Sequence, residues 1–514
     1  MSGIQFLVHD EPPFFLCSTI DANFPKLKVY DPNFAAQEEQ NSCWAKKGHL
    51  PNGDGASGQQ PQRRRAVELL VRDSGLAPSG GSKWRWPNPG LSMRRSKQFF
   101  IRTQMIALAA MFAAALATVP AHAWTYKVIH DFCSKRACAD GAAPEAGLLL
   151  DTEGDLYGTT NTGGTIRGAG TVFELVPQSG ATSWKIKTLH AFKGNQDDGG
   201  NPEAALIMDS AGNLYGTTFQ GGVNNTGAVF ELLPNGLRTK RQLRILYFGE
   251  NPLAALSYNG KVFGLPYDGA SALYGTGFSG DVFSLVPNGG QWNETTLYKS
   301  GPYLRAGILV DPSGNLFGDS YQGGDNNSGR VFELVDTNGN WSEATLYDFC
   351  SVKRHCADGA FPAADLAMDS SGVLFGTTSQ GGDQHKGCCG VIFQVIPNGE
   401  NSQYNVLYNF CALKNCKDGA QPWSDLIFDS SGNLYGTTKT GGTHLTDVDH
   451  LGGGTVFRLA GSTLETLHAF CSERECADGE YPIGGVVMDP SGDLFGTTSE
   501  GGKYGAGVVY EISP

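Results

Sequence analysis

The motif Leu-Tyr-Gly-Thr-Thr-x-x-Gly-Gly, which recurs through most of the chain, limits the possible folds more than any other feature of the sequence. Clear copies begin at Leu156, Leu214, Leu316, Leu374, Leu434 and Leu494. We predict a damaged seventh copy around Val262-Phe263-Gly264. Recurrence at a period of 50 to 60 residues is typical of proteins built from one repeated supersecondary unit.

Each repeat unit is predicted to contain four short antiparallel strands. A proline and an apolar run lead into a tight turn, and the motif strand, a Gly-Gly loop and two further strands follow. Such a small sheet cannot bury both of its faces alone. Seven of them packed radially can, so the sequence predicts an all-β fold, a seven-bladed β-propeller with four-stranded blades. The prolines that mark the seven units are Pro144, Pro202, Pro252, Pro302, Pro362, Pro422 and Pro482.

The two ends of the repeat region predict how the ring closes. Residues 124–132 match the last strand of a unit, and residues 507–512 match the third strand. The final unit therefore lacks a fourth strand, which the segment after residue 124 supplies. A ring closed in this way has no open sheet edge. A linear solenoid, the alternative, needs polar caps at both ends.

Residues 1–123 share nothing with the repeats. Residues 93–123 have a basic start, an apolar run over 105–119 and the small-x-small sequence Ala121-His122-Ala123, which together indicate a secretory signal. An uncleaved membrane anchor is the alternative, although the run is short for one. Residues 1–92 are polar and rich in Pro and Gly, so they are either a disordered leader or a stretch upstream of a true start at Met93. We expect a secreted protein, in the extracellular space or the cell envelope, whose folded part is 124–514.

The charge of the folded part restricts its partners. The chain has a net charge of −13, and its first 123 residues carry 14 Lys+Arg and 9 Asp+Glu, which leaves 24 and 42 for the remainder. The acidic charge of residues 124–514 disfavours nucleic acid and anionic membrane as partners. We expect a monomer, with no stable membrane insertion once the signal is removed.

Closely spaced cysteine pairs lie in four of the predicted blade-to-blade connections. In an exported protein such pairs are most simply local disulfides, and each is worth roughly 2 kcal/mol. Metal binding is the alternative, although zinc requires four converging ligands. The adjacent Cys388 and Cys389 are left open between pairing with each other, pairing with another chain and remaining as thiols. The four pairs are Cys133 with Cys138, Cys350 with Cys356, Cys411 with Cys416 and Cys471 with Cys476.

An insertion found only in the sixth unit contains the candidate metal ligands. Imidazole and carboxylate groups within seven residues suit Zn²⁺, Mn²⁺ or Ca²⁺, and the alternative is a solvated polar loop. We expect no other cofactor. The Asp that precedes each Ser-Ser-Gly type of turn is predicted to cap that turn rather than bind calcium. The candidate metal ligands are His444, Asp447, Asp449 and His450.

The face that carries the blade-to-blade connections has the longer and more varied loops, so we expect binding there. His385 and Lys386 lie in a loop of the fifth unit. Tyr267, Asp268 and Tyr274 lie in a stretch of the third unit, 265–280, that we predict to be a long loop. Exposed aromatic rings there would stack on sugars, and Asp268 would bind hydroxyl groups. Drift of a degenerate repeat is the alternative.

The full pattern D-G-x-x-P…D-x-x-G-N-L-Y-G-T-T-x-x-G-G…G-x-V-F-E-L resembles the GloVer tandem repeat of exported bacterial proteins, which carry varied C-terminal surface anchors. The clearest copy spans residues 418–458, and the resemblance covers essentially all of 124–514. It implies export but no particular activity. No anchoring tail is evident before Pro514, so we expect release rather than anchoring.

Two functions fit the sequence. The first is a non-catalytic extracellular binding or scaffold module for a glycan or a surface protein, because no unique acid–base set stands out from the repeats. The second is a glycosidase or lyase that acts on extracellular polysaccharide, which rests on what other propellers do. A glycosidase requires two carboxyl groups about 5–10 Å apart, so carboxyl groups gathered over the central channel would favour it.

Overall fold

The computed structural model describes the repeat region with a few gaps, and its residues are almost entirely strands and turns. Seven four-stranded antiparallel sheets form a ring, which confirms the seven-bladed β-propeller. No helix among the described residues is both long and apolar enough to cross a membrane. The described residues are 124–164, 168–178, 183–234, 241–248, 252, 256–258, 272–277, 279–299, 303–352, 354–382, 389–399, 401–443 and 452–514.

The strands of each blade follow one another in the chain from the centre of the ring outwards. Blade 1 comprises Leu149–Leu150, Leu156–Thr160, Thr171–Pro177 and Trp184–Ala191. Blade 2 comprises Ile207–Met208, Leu214–Thr218, Ala228–Leu233 and Gln242–Phe248. Blade 3 comprises Ser257–Tyr258, Leu273–Thr276, Asp281–Asn288 and Gln291–Lys299. Blade 4 comprises Leu309–Val310, Leu316–Ser320, Arg330–Thr337 and Asn340–Asp348.

The remaining blades repeat this order. Blade 5 comprises Ala367–Met368, Leu374–Gln380, Val391–Ile396 and Gln403–Asn409, and Ala360–Pro362 also pairs with its second strand. Blade 6 comprises Ile427–Phe428, Leu434–Thr438, Thr455–Ala460 and Thr463–Ala469. Blade 7 comprises Val487–Met488, Leu494–Thr498, Val508–Ser513 and the N-terminal Thr125–Asp131. A short ladder joins Gly199–Gly200 to Gln220–Gly221, and single 3-10 turns lie at Arg136–Cys138, Val223–Asn225, Lys414–Cys416 and Arg474–Cys476.

Ring closure by the N-terminal strand is confirmed. Thr125–Asp131 pairs antiparallel with Val508–Ser513 and so completes the last blade. The core lies between neighbouring blades, where their apolar faces meet. Phe132 from blade 7, for example, packs 5.1 Å from Phe173 of blade 1, measured between ring centroids, and both side chains are fully buried.

The glycine of the motif packs against side chains of its own blade. In blade 6, a Cβ added to Gly436 would lie 2.8 Å from Cζ of Phe457 and 3.0 Å from Cδ2 of Leu426. Phe457 is the cross-strand partner of this glycine. Its ring therefore fills the space that a side chain would need.

We predict that Gly436→Ala destabilises the propeller by about 1–3 kcal/mol, because overpacking forces ring and backbone to shift. Gly147→Ala is the matched control, since a Cβ there would meet nothing nearer than 3.5 Å. Denaturant unfolding of both variants checks the result. Equal losses in the two variants would contradict this explanation of the motif glycine.

The Asp before each turn caps that turn, as predicted. Asp429 is typical, because its Oδ1 accepts hydrogen bonds from the backbone N–H groups of Ser431 at 2.8 Å and Asn433 at 2.9 Å. The same contacts recur at Asp151, Asp209, Asp311, Asp369 and Asp489.

The four disulfides predicted in the blade-to-blade connections are confirmed. Each closes a small loop, because the two cysteines of a pair stand five or six residues apart in the chain. These cysteines are therefore structural and are not metal ligands. The bonds join Cys133 to Cys138, Cys350 to Cys356, Cys411 to Cys416 and Cys471 to Cys476.

A buried Asp holds the same connections from inside. In the connection from blade 5 to blade 6, Asp418 accepts hydrogen bonds from the Tyr408 hydroxyl at 2.8 Å and from the backbone N–H groups of Ala412 and Leu413. In the next connection His468 occupies the slot of Tyr408 and contacts Asp478 at 3.1 Å. Histidine and tyrosine in this slot therefore share one structural role.

Two expectations about the repeat were wrong. The motif strand of blade 3 is Leu273–Thr276, not the segment around Val262, so the long connection of this blade joins its first and second strands. In blade 4, Leu304 occupies the position of the repeat proline. The residue before it, Tyr303, has a positive φ and accepts a backbone hydrogen bond, as Ala143 does before Pro144 in blade 1. Pro302 lies two residues earlier, outside the described residues.

Candidate functional site

Most of the candidate residues from the sequence lie outside the described residues. These are His385, Lys386, Tyr267 and Asp268, together with the candidate metal ligands His444, Asp447, Asp449 and His450. The metal site and the binding loops therefore stay predictions.

The cysteines of the described chain offer no alternative metal site. The sulfurs of Cys411 and Cys416 lie close to that of Cys389, within 4.8 Å, but the first two are joined in a disulfide and supply no thiolate. Cys389 is buried in the core of blades 5 and 6, and its neighbour Cys388 lies outside the described residues. The pairing of these two adjacent cysteines therefore stays open.

Tyr274 is described, and its predicted exposure was wrong. It lies in the motif strand of blade 3, is only 8% exposed and packs with Leu304, Ile308 and Phe332 of blade 4. The periodic pattern obscures this, because the blade 3 copy reads Leu-Tyr-Gly-Thr-Gly and stands 16 residues after the start of the first strand rather than seven. Tyr274 is a core residue between two blades.

A different set of side chains meets where the central channel opens on the face of the blade-to-blade connections. Each comes from the residue four positions before the first strand of its blade, which we call the inner position. At this point the chain enters the blade from the connection and runs beside the ring axis. The described inner positions are Glu145, Glu203, Arg305, Ala363, Trp423 and Ile483.

Contacts between non-neighbouring blades show that these side chains face the axis. Cζ of Arg305, from blade 4, lies 5.2 Å from the ring centroid of Trp423, from blade 6, and 4.8 Å from that of Tyr321. Blade 5 lies between them, and its inner position is the small Ala363. Nζ of Lys439 lies 5.0 Å from the Trp423 centroid. One tryptophan ring is therefore contacted by two cations, a favourable arrangement when it is sheltered from water.

Two glutamates lie on the other side of the axis and share one amide. Nδ2 of Asn161 donates to Oε1 of Glu203 at 3.3 Å, and Asn161 also lies within hydrogen-bonding reach of Glu145. The orientation of Asn161 is fixed by Asn201, whose Nδ2 donates to its Oδ1 at 2.8 Å. A single amide thus holds carboxyl groups from blades 1 and 2 side by side.

Burial sets the protonation of both glutamates. Burial raises the pKa of Glu203 to about 8, and repulsion from Glu145 acts in the same direction, against the effects of Arg305 and Asn161. Burial also raises the pKa of Glu145, against the Asn161 hydrogen bond and Lys439. Glu203 is therefore mostly protonated near pH 7, where it can donate as well as accept hydrogen bonds.

We call this set of residues the channel mouth: Glu145, Asn161, Glu203, Arg305, Trp423 and Lys439. A cavity of about 370 Å³ opens beside it, lined by Glu145, Lys439 and further residues that include Gln421, Tyr481 and Glu500. Ligand pockets commonly measure about 300–1,000 Å³. The cavity thus places two groups of the channel mouth, the Glu145 carboxyl and the Lys439 ammonium, within reach of one small ligand, together with the ring of Tyr481.

A larger cavity of about 600 Å³ lies at the rim, between the outer strand of blade 7 and the connection that precedes this blade. We call it the peripheral cavity. It is lined by charged residues that include Lys127, Asp131 and Lys503, and its Arg474 and Glu475 are almost fully exposed and pair with each other. The channel mouth is the stronger candidate, because its half-buried charges converge from four blades on one aromatic ring and one amide.

The chain matches solved structures at 11–15% identity, among them the extracellular domain of a B. thetaiotaomicron protein named as a hybrid two component system, at 15% identity and a TM-score of 0.45. The match covers 76% of this chain and 41% of that one, so the chain spans about two fifths of its length.

Two further solved structures are similar to the chain at the same level. The WD40 β-propeller domain of Doa1 matches at 12% identity, 76% and 97% coverage and a TM-score of 0.44. The periplasmic gluconolactonase of Pseudomonas aeruginosa matches at 11% identity, 63% and 85% coverage and a TM-score of 0.42. At such identities the likeness concerns the fold alone. No curated protein matches the chain.

A family model gives the clearest result. The Gloeobacter/Verrucomicrobia repeat matches three overlapping stretches, 115–278, 185–389 and 356–514, which together span the whole propeller. This agrees with the resemblance carried by the repeated motif. The chain belongs to the Gloeobacter/Verrucomicrobia (GloVer) repeat family.

Proposed function

We propose that the chain is an exported binding module that holds a glycan at the channel mouth. The observation that carries the proposal is the convergence of Arg305, Trp423, Lys439 and the Glu145–Glu203 pair across the axis. Four disulfides in the connections on the same face support export, because such bonds persist in oxidising compartments.

The chemistry of the channel mouth suits a sugar. A sugar ring has apolar C–H faces that pack on an aromatic ring, and a rim of hydroxyl groups that both donate and accept hydrogen bonds. Trp423 and the rings of Tyr321 and Phe361, whose centroids are 5.2 Å apart, supply the aromatic surface. Arg305 and Lys439 supply donors, and the two glutamates supply acceptors. Pockets of this mixed lining fix the orientation of a ligand through a few polar groups.

A glycan array followed by calorimetry tests the proposal. We predict that Trp423→Ala weakens binding of the best glycan about 10- to 100-fold, because a central aromatic side chain typically carries about 2 kcal/mol or more of binding energy. The matched control is Tyr504→Ala. This tyrosine is 47% exposed on blade 7 and also has a lysine over its ring, Lys503, at 5.3 Å from the centroid. The control should bind as the wild type does.

Three results would count against the proposal. They are the absence of binding to every glycan on the array, equal losses in Trp423→Ala and Tyr504→Ala, and binding to an extracellular protein that persists in Trp423→Ala. The last result would favour a surface protein as the ligand. Thermal unfolding of both variants checks that each is folded.

A polysaccharide-acting enzyme is the second candidate, and the paired glutamates favour it. Glu203, with its pKa raised to about 8, can act as a general acid near neutral pH, and Glu145 lies beside it. Under this function, Glu203→Gln lowers the release of reducing ends from a polysaccharide panel by about 10²–10⁴-fold. The rate in the wild type should fall as pH rises past 8, because Glu203 then loses its proton.

This second experiment separates the two functions. Binding without release of reducing ends supports the binding module, whereas release that depends on Glu203 supports the enzyme. Release that is unchanged in Glu203→Gln excludes Glu203 as the acid.

The sixth-unit insertion remains a separate proposal for a divalent metal. Titration of Zn²⁺, Mn²⁺ and Ca²⁺ into the wild type and into a His444→Ala/His450→Ala variant tests it by calorimetry. Imidazole ligands predict heat in the wild type and little in the variant. Equal heats in both proteins, or none in either, would end this proposal.

A further inference from the structure

The charge at the channel mouth differs from that of the rest of the propeller. The chain after residue 123 has 24 basic and 42 acidic side chains, so it repels anions in general. At the axis, however, two cations from blades 4 and 6 lie against a single aromatic ring. Positive charge gathered at one concave point of an acidic protein attracts anions to that point.

Burial weakens the negative charge of the carboxyl groups that the structure describes near these cations. Glu203 and Glu145 are the acidic groups that act on Arg305 and Lys439 across the axis, and burial favours the neutral form of both. Glu500, the other acidic group of the cavity, is exposed at its edge. Among the described residues, Glu203 and Glu145 therefore offset the two cations less than two exposed carboxylates would.

The geometry around Trp423 fixes the kind of anion. Arg305 and Lys439 contact the ring of this tryptophan, so an anionic group bound to them lies beside an aromatic surface. A guanidinium binds a carboxylate through two parallel hydrogen bonds. A sugar that carries a carboxylate offers both features at once, because its ring stacks while its carboxylate meets the cations.

We propose that the glycan bound at the channel mouth is acidic, built from uronic acid residues whose carboxylates pair with Arg305 and Lys439. This inference rests on the proposed function, of which it specifies the ligand class. A neutral glycan would satisfy the proposed function and contradict the inference.

Pairs of ligands that differ only in charge separate the preference for an acidic glycan from glycan binding as such. The probes are short oligomers of galacturonate, guluronate and glucuronate, each compared by calorimetry with its methyl ester, which has the same ring and no charge. We expect at least one acid to bind 10-fold or more tightly than its ester, with a preference that weakens as salt is raised. Equal affinity for acid and ester overturns the inference and leaves glycan binding standing. If neither acids nor esters nor any other glycan binds, the proposed function fails with it.

Matched variants place the preference at the channel mouth. We expect Lys439→Ala to reduce the acid-over-ester ratio at least fivefold and Lys439→Arg, which keeps the charge, to preserve most of it. Lys503→Ala is the control, because Lys503 also lies over an aromatic ring but lines the peripheral cavity. A ratio unchanged in Lys439→Ala, or lost in Lys503→Ala, overturns the assignment. Thermal unfolding shows whether each variant is folded. Arg305→Lys provides a second test, because it keeps the positive charge but removes the group that can donate two parallel hydrogen bonds.

Discussion

Replacing Asp319 with Asn or Thr is expected to stabilise the propeller at pH 7 and to have little effect at pH 4. Asp319 stands in the motif strand of blade 4, where other blades have threonine, and it is 1% exposed. Neither of its carboxyl oxygens has a hydrogen-bond partner among the described residues. Burying an unsatisfied polar group costs about 1–3 kcal/mol, and more when it is charged.

The other blades show what this position normally does. In five of them a threonine hydroxyl donates to a backbone carbonyl of the next blade, as in Thr497 to the oxygen of Ala146 at 2.8 Å. An ionised carboxylate has no proton to donate. Asp319 can therefore reproduce this inter-blade bond only in its protonated form.

Burial raises the pKa of Asp319 well above its usual value, and repulsion from Asp365 and Asp425 adds to the shift. The pKa of Asp365 is itself raised, first by burial and then by Asp425. Asp365 lies in blade 5 and Asp425 in blade 6. Oδ1 of Asp365 accepts a hydrogen bond from the backbone N–H of Gly307, and Oδ1 of Asp425 accepts one from the backbone N–H of Asp365. Three carboxyl groups on successive blades thus disfavour one another's ionisation.

The sign of the pH dependence follows from the raised pKa. Below about pH 4 both the folded and the unfolded state hold the Asp319 proton, so ionisation costs nothing. As pH rises, the unfolded state ionises first, and stability falls until the pH passes the folded-state pKa. The gain in free energy of unfolding for Asp319→Asn should therefore be near zero at pH 4 and about 1–3 kcal/mol at pH 7.

The reciprocal substitution is the control. Thr377→Asp places the same carboxyl group in blade 5, where Thr377 donates to the oxygen of Ser424. This variant should lower the free energy of unfolding at pH 7, and the loss should be smaller at pH 4. Equal gains for Asp319→Asn at both pH values, or a loss at pH 7, would show that the carboxyl group is satisfied by other means.

Tyr126→Ala is expected to open the ring at blade 7, where the N-terminal strand pairs with the C-terminal strand. Tyr126 lies in the N-terminal strand that completes blade 7, stacks on His468 with 3.8 Å between ring centroids, and donates its hydroxyl to the carbonyl oxygen of Asp478 at 2.5 Å. Truncation of a large buried aromatic side chain typically costs about 3–5 kcal/mol. Tyr126→Phe keeps the stack, loses one hydrogen bond, and should cost about 0.5–1.5 kcal/mol.

Blade 5 offers the matched comparison. Tyr404 stacks on Tyr347 at 3.7 Å and donates to the carbonyl oxygen of Asp358, so its contacts repeat those of Tyr126. Tyr404 lies in a strand that the chain holds at both ends within the blades. Both alanine variants should lose similar stability, but only Tyr126→Ala should become sensitive to proteolysis near Asp131, because its strand can detach alone. Equal sensitivity in both variants would contradict closure by a separable strand.

The fold was predictable because its features repeat. Seven copies of one unit specify the blade count, and the match between residues 124–132 and a fourth strand specifies the closure. The disulfides, such as that between Cys350 and Cys356, and the Asp-capped turns follow from residues close in sequence. The prediction was wrong where the period breaks. In blade 3, 16 residues instead of seven separate the starts of the first two strands, and in blade 4 the proline stands two residues early.

The channel mouth was not predicted, because its residues come from four blades and meet only when the ring closes. When the repeat units are aligned with one another, positions that vary among them are disregarded. At the inner position, however, the copies read Glu145, Glu203, Arg305, Ala363, Trp423 and Ile483. In these six copies the preceding residue is proline in all but blade 4, and the residue three positions later is always Leu, Ile or Val. A position that varies in charge and size within a constant frame was the available signal. Its meaning depends on knowing that the chain passes the axis there.

The most direct test of glycan binding at the channel mouth is a crystal structure of the propeller with the glycan that binds it best. We expect a sugar ring against Trp423, with polar groups of the glycan bonded to Arg305, Lys439 or the Glu145–Glu203 pair. A glycan bound in the peripheral cavity beside Lys503, with the channel mouth filled only by water, would contradict it.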